Sequence, residues 1–121
     1  MNEERRSHLA DIVSHGDIHI VKLLSELDLN TAPFFKKLVK EELIEKGKKK
    51  VIIDFSECKY LDSYALGVLM SLDKHFKLSG GIMILCGLDS NLKRIFNLTS
   101  LNTILSIRKN LNDALQALGA F

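Results

Sequence analysis

The stretch KVIIDFSECKYLDSYALGVLMSLDKHFKLSGGIMILC, from Lys50 to Cys86, decides the fold of this 121-residue chain. It opens and closes with continuous apolar runs, Lys50 to Phe55 and Ile82 to Cys86, which are typical of strands covered on both faces. Between them, Ser63 to Leu78 has helical spacing, and Gly80-Gly81 ends the helix. The stretch therefore predicts a strand, helix, strand crossover with two parallel interior strands.

The sequence before this stretch predicts an antiparallel hairpin and a first helix. Two short apolar-rich runs, Leu9 to Val13 and Ile18 to Leu24, are separated by His15-Gly16-Asp17, which favours a tight turn between paired strands. Apolar residues then recur at helical spacing from Pro33 to about Lys46, and proline is well tolerated in a first helical turn. Side-chain oxygens that can cap this helix precede the proline, on Asp28, Asn30 and Thr31.

The sequence after this stretch predicts two further helices and an edge strand. Ser90 to Leu98 forms a short helix, Ile104 to Ile107 an edge strand, and Asn110 to Leu118 an amphipathic last helix. Together these elements give an α/β fold with a mixed sheet of about five strands and about four helices. At this length, we expect residues 1–121 to form a single domain.

The composition is that of an ordinary globular protein. Apolar residues make up 46% of the chain, charged residues 26%, and the formal net charge is +2. This near balance gives no reason to expect nucleic acid or an anionic membrane as a partner. One basic cluster surrounds Gly47, and we interpret it as a solvated turn rather than a phosphate-binding patch, because no aromatic residues alternate with its lysines.

Cysteine usage and the chain start indicate a protein of the reducing cytoplasm. Cys58 and Cys86 lie far apart, without zinc-ligand spacing and too few for a disulfide framework, so we expect buried free thiols. Met1 to Arg6 lacks the apolar stretch of a signal peptide, and no segment approaches the ~20 apolar residues of a membrane span. We therefore predict a cytoplasmic protein with no metal and no cofactor.

A serine hydroxyl stands where the helix of the crossover begins. Asp62 and Ser63 precede an apolar helical pattern, and residues of these types at such a place usually cap the helix by accepting from its first N–H groups. A phosphate on Ser63 would instead add about two negative charges at the positive end of the helix dipole, where the fold tolerates them. Ser63 is thus a helix cap, a modification site, or both.

The same helix carries two apolar arcs. Projection at about 100° per residue places on the sheet-facing arc Ala65, Val68, Leu69, Leu72 and Phe76. Leu66, Gly67 and Met70 lie on a second arc that runs down from Ser63, where a surface helix normally shows charge. This second arc is either a docking surface for a partner or a second core contact, for instance with the third helix.

The segment Asp62 to Gly67, DSYALG, resembles the D-S-S-G-L-G signature of STAS domains, the anti-sigma factor antagonist family. Upstream, Ser25 to Ala32, SELDLNTA, is similar to the G-E-L-D-x-x-T-A segment of that family. The resemblance extends over about Leu9 to Leu118. The segment departs from the signature at two positions: Tyr64 replaces the second serine, and Ala65 replaces the glycine that follows it.

This resemblance implies a switch rather than an enzyme. In the family, a serine kinase that is also an anti-sigma factor phosphorylates the antagonist, a metal-dependent serine phosphatase reverses this, and only the unphosphorylated antagonist binds the kinase. Ser63 matches the phosphorylated serine and Asp62 the acidic residue before it. Asp28 matches an acidic residue near that serine, where it either orients the hydroxyl or caps a helix.

The predicted docking residues are Leu66, Gly67 and Met70 of the second arc, together with Tyr64, whose bulk next to Ser63 is expected to influence which kinase fits. The histidines are scattered and no phosphate-binding loop is present, so catalysis is not expected. The alternative function is a STAS subunit that does not switch, either a stressosome-type scaffold or an accessory of a lipid-transport system.

Overall fold

The computed structural model describes residues 9–120. Its centre is one five-stranded sheet in which neighbours in sequence are also neighbours in space. The strands are β1 (Ala10–His15), β2 (Ile18–Leu23), β3 (Lys50–Asp54), β4 (Ile82–Cys86) and β5 (Ser106–Arg108). β1 runs antiparallel to β2, and the other pairs are parallel. The predicted mixed sheet is confirmed.

Within residues 9–120, four α-helices connect or flank the strands: α1 (Ala32–Val39), α2 (Ser63–Leu78), α3 (Ser90–Leu98) and α4 (Leu111–Ala117). The first helix was predicted to continue to about Lys46, but regular α-helix ends at Val39 and a π-helical turn, Lys40–Ile44, follows. In this wider turn the Glu45 N–H donates to the Lys40 carbonyl, 2.8 Å away. The buried Leu43 side chain lies on the turn, which therefore extends the core contact of α1.

The edge strand β5 begins at Ser106, two residues later than predicted. A 3₁₀ turn, Leu101–Thr103, occupies the preceding residues, and the Leu101 carbonyl accepts from the N–H groups of Ile104 and Leu105. Because these N–H groups are used inside the turn, the chain pairs with β4 only from Ser106 onward. Leu105 is buried, and this accounts for the apolar pattern that suggested a longer strand.

Helices cover both faces of the sheet, as the continuous apolar runs in β3 and β4 predicted. Val51 and Ile53 face the main core, which α1, α2 and α3 complete. Ile52 faces the opposite side, where α4 contributes Ala114 and Leu118. Each interior strand therefore buries alternate side chains on opposite faces, and the chain leaves the sheet for α2 and α3 at the carboxyl ends of β3 and β4.

Helix α2 ends just before the glycine pair Gly80-Gly81, as predicted. Gly80 adopts a φ of 81°, a left-handed conformation that glycine adopts without steric cost. A Cβ atom on Gly81 would lie 2.7 Å from the Lys49 carbonyl oxygen, so only glycine allows this approach. The Ile82 N–H then donates to that same carbonyl and starts the pairing of β4 with β3.

Candidate functional site

The two sequence motifs are brought together by one backbone bridge. Leu27 pairs with Leu61 in an isolated parallel β-bridge. The Leu27 N–H donates to the Tyr60 carbonyl at 3.0 Å, and the Asp62 N–H donates to the Leu27 carbonyl at 3.3 Å. Both leucine side chains are buried and anchor their segments in the core. The loop before α1 and the loop before α2 therefore form one continuous surface.

Asp62 is the residue that caps α2. Its Oδ1 accepts from the Ala65 N–H at 2.9 Å, and its backbone is extended, as is usual for a cap. Its Oδ2 accepts from the Leu29 N–H at 2.8 Å. One carboxylate thus both starts the helix and fastens the loop before α1 to it. Of the two predicted cap residues, the structure selects Asp62.

Ser63 is the first residue of α2 and is exposed. Its hydroxyl makes no hydrogen bond with any residue of the range 9–120, so it is not engaged in capping. The N–H groups of Ser63 and Tyr64 likewise have no acceptor in that range, since the first N–H groups of a helix have no carbonyl partner one turn back. The hydroxyl is therefore accessible and lies beside unpaired backbone donors.

Asp28 is engaged in its own turn. Its Oδ1 accepts from the N–H groups of Asn30 at 2.8 Å and Thr31 at 3.1 Å, and from the Thr31 hydroxyl at 3.2 Å. In return, the Asp28 N–H donates to the Thr31 hydroxyl at 2.9 Å. No hydrogen bond joins Asp28 to the Ser63 hydroxyl. The N-cap residue of α1 is Thr31, and no side chain caps this helix, so Asp28 closes the turn before α1 without making the predicted helix cap.

Three large apolar side chains are exposed on the two bridged segments around Ser63. Leu29 is 61% exposed, Tyr60 49% and Tyr64 45%. Leu29 donates its N–H to Asp62, and Tyr60 accepts from Leu27, so both belong to the same joined surface as Ser63. We call Leu29, Tyr60 and Tyr64 the Ser63 apolar surface. Leu29 and Tyr60 were not predicted from the sequence, because their only signal was an apolar residue within each polar loop.

The second arc of α2 requires a correction. Leu66, predicted as a docking residue, is only 9% exposed and belongs to the main core. Met70 is half-buried and packs against the same core, whereas Gly67 is exposed. Besides the sheet, α2 contacts α1 and the π-helical turn. On the flank of the second arc, Met70 lines a cavity together with Ile104, which follows the 3₁₀ turn after α3. A second core contact therefore exists, and Leu66 offers little surface to a partner.

Both cysteines are buried, as predicted. Burial raises the pKa of the Cys86 thiol to about 12, and the nearby Asp54 carboxylate acts in the same direction. Burial also raises the pKa of Cys58, whose Sγ donates to the Tyr60 carbonyl at 3.5 Å. Both thiols therefore stay protonated at neutral pH, and Cys58 contributes packing beneath the Ser63 apolar surface.

None of the helices within residues 9–120 is both long and apolar enough to cross a membrane. Over the same residues, no three His, Cys, Asp or Glu side chains are grouped so as to hold a metal ion.

The fold and this site define a small α/β domain with a mixed five-stranded sheet and an exposed serine at the N-terminus of its longest helix. The STAS domain family model matches residues 10–114, and the chain belongs to the STAS domain family. A Thermotoga maritima protein provisionally described as an anti-sigma factor antagonist is 31% identical over 100 residues, which cover 83% of this chain and 88% of that protein.

Two more similarities agree with this assignment. The anti-sigma-B factor antagonist of Listeria monocytogenes is 32% identical over 94 residues, covering 78% of this chain and 79% of that protein. A crystal structure from Thermotoga maritima, with the same provisional description as above, superposes with a TM-score of 0.87 at 28% identity and covers 93% of this chain and 97% of that one. The predicted family and fold are confirmed.

Proposed function

We propose that this chain is an anti-sigma factor antagonist that acts by partner switching in the cytoplasm. Its unphosphorylated form binds a serine kinase that is also an anti-sigma factor, and phosphorylation of Ser63 releases that partner. A metal-dependent serine phosphatase restores the binding form. The names of the Listeria and Thermotoga relatives support the antagonist class.

The observation that carries this proposal is the free, exposed Ser63 hydroxyl at the start of α2. A kinase reaches such a hydroxyl without unfolding the domain, because Asp62 and not Ser63 holds the helix cap. The unpaired N–H groups of Ser63 and Tyr64 and the helix dipole would stabilise the phosphate once it is attached.

The same phosphate would oppose docking. Leu29, Tyr60 and Tyr64 expose apolar surface on the two bridged segments to which Ser63 is joined, and burying that surface against a partner supplies binding energy. A phosphoserine with about two negative charges in the same interface would have to be desolvated, which is costly unless the partner offers matched cations. Phosphorylation is therefore expected to change binding and to leave folding intact.

The test is a labelling experiment with the serine kinase encoded nearest to the gene of this chain. Purified protein, kinase and ATP are incubated, and the phosphorylated residue is identified by mass spectrometry. We expect one phosphate, on Ser63, and none in Ser63→Ala. Labelling that persists undiminished in that variant would refute the site.

The chain contains a matched control. Asp89 caps α3 by accepting from the Leu92 N–H, and Ser90 is the exposed first residue of that helix, so Asp89-Ser90 repeats the local geometry of Asp62-Ser63. Ser90→Ala should be phosphorylated like the unmodified protein. If the alternative scaffold function holds instead, Ser63→Asp will bind its partner as tightly as the unmodified chain.

A further inference from the structure

A cleft of about 330 Å³ opens between α3 and the end of β5. This volume is at the lower end of the ~300–1,000 Å³ range of small-molecule sites. It lies outside the carboxyl ends of the parallel strands β4 and β5, where α/β sheets most often bind ligands. None of its lining residues belongs to the Ser63 apolar surface, so the cleft is a separate feature of the domain.

The floor of the cleft is apolar. Leu88 and Phe96 form it together with Ile107. Leu88 and Phe96 are core residues, 5% and 0% exposed, so packing fixes their positions. Ile107 is half-buried and packs against the same core. A rigid apolar floor of this kind favours a ligand with an apolar body over a fully hydrated ion.

The rim of the cleft is cationic. Lys93 comes from the first turns of α3, and Arg108 and Lys109 come from the end of β5. None of the three forms an ion pair with a residue in the range 9–120, and the one hydrogen bond of the Arg108 side chain goes to the Ile107 carbonyl. Two carboxamides on the rim, Asn97 and Asn102, likewise make no side-chain hydrogen bond in that range.

Other cavities of the domain differ in charge. The cavity beside α1 has three lysines, but its lining includes Glu41 and Glu45. The cavity along α2 has Lys77, which forms a 2.8 Å ion pair with Asp73 of the same lining. The cleft at α3 has three cations and no carboxylate in its lining. Its positive charge is therefore not neutralised locally, and it is available to an anion.

We propose that this cleft binds a small organic anion with an apolar body. The anionic group, a carboxylate or a phosphate, contacts Lys93, Arg108 and Lys109 through charge-assisted hydrogen bonds. The apolar body lies on Leu88 and Ile107. Such a ligand uses both parts of the cleft, whereas inorganic phosphate uses only the rim and a neutral lipid only the floor.

The experiment uses octanoate as the probe and follows amide chemical shifts of the full chain by two-dimensional NMR. Octanoate should give saturable shifts at the lining residues, with 1-octanol and inorganic phosphate each binding at least about tenfold more weakly, which corresponds to about 1.4 kcal/mol. The proposal is overturned if 1-octanol or inorganic phosphate binds as tightly as octanoate. The absence of saturation by octanoate below about 10 mM also overturns it.

Variants locate the site. Lys93→Gln with Lys109→Gln should weaken octanoate binding at least about tenfold, since charge-assisted contacts are lost. Lys36→Gln with Lys40→Gln makes the same change of charge in the cavity beside α1 and should leave octanoate binding unchanged. Lys40, Lys93 and Lys109 are exposed and Lys36 is half-buried, and thermal unfolding of each variant verifies the fold. Equal weakening by both pairs would show a general charge effect and refute the site.

Discussion

At the scale of the residue, two neighbours with similar chemistry have different roles. Asp62 accepts from two backbone N–H groups on two separate segments. The Ser63 hydroxyl accepts from none and donates to none within the described part of the chain. Asp62 has the extended backbone of an N-cap residue, whereas Ser63 already lies inside the helix, so the carboxylate makes the cap and the hydroxyl is free. This division allows modification of Ser63 without loss of the helix start.

Asp62→Ala should therefore lower the free energy of unfolding by about 1–2 kcal/mol, because the cap of α2 and the tie to Leu29 are lost together. Ser63→Ala should change it by less than about 0.5 kcal/mol, as is usual for surface substitutions. Ser63→Asp should change the free energy of unfolding by less than about 1 kcal/mol, since negative charge is favourable at a helix N-terminus. Urea unfolding measures all three, and an equal loss in Asp62→Ala and Ser63→Ala would make the serine structural.

At the scale of the element, α2 is packed on two sides. The five residues of its sheet-facing arc are all buried, as the helical projection predicted: Ala65, Val68, Leu69, Leu72 and Phe76. On its second arc, Leu66 is buried, Met70 is half-buried and Gly67 is exposed. The partner surface proposed for this domain therefore consists of the loops before α1 and α2, with Tyr64 as the contribution of the helix.

Leu66→Ala should lower the free energy of unfolding by about 2–4 kcal/mol, because it opens a cavity in a buried site. Tyr64→Ala should cost less than about 1 kcal/mol and should weaken binding to the kinase partner, since its side chain is 45% exposed on the Ser63 apolar surface. Urea unfolding and titration calorimetry give the two quantities. If Leu66→Ala has the same free energy of unfolding as the unmodified protein and yet no longer binds the partner, the second arc is a docking surface after all.

The elements that sequence predicted well are those whose signal is local. The apolar runs of β3 and β4 and the glycines after α2 indicate their structures directly: β4 has the predicted residues, and β3 ends one residue earlier than predicted, at Asp54. The π-helical turn after Val39 and the later start of β5 depend on hydrogen-bond choices that no apolar pattern encodes. Leu66 shows the same limit at the site, because helical projection places a residue on an arc but does not identify what packs there.

At the scale of the whole molecule, two helices start in the same way but present different surfaces. α2 and α3 both leave the carboxyl edge of the sheet, each with a capping aspartate followed by an exposed serine. Only at α2, among residues 9–120, does the bridge between Leu27 and Leu61 bring a second loop with Leu29 alongside. This tertiary pairing, more than the Asp-Ser dipeptide, distinguishes Ser63, the proposed phosphorylation site, from Ser90.

The stability of the whole domain should depend on pH through His19. Its side chain is 9% exposed, and its Nδ1 lies 2.9 Å from the Ser14 hydroxyl. Burial lowers the pKa of His19 below its usual value, and the Lys48 charge lowers it further, while Asp17 acts in the opposite direction. The unfolded chain therefore takes up the proton at higher pH than the folded domain does.

Protonation thus favours unfolding, and the contribution of His19 is fully present above the unfolded pKa of ~6.5 and decreases as the pH falls below it. Urea unfolding at pH 7.5 and 5.5, on the two sides of that value, should give a lower free energy of unfolding at the acidic pH. In His19→Asn, the free energy of unfolding should fall less between pH 7.5 and 5.5. In His75→Asn, which changes a residue on the exposed side of α2, it should fall as much as in the unmodified protein. An undiminished decrease in His19→Asn would assign the pH dependence to other groups.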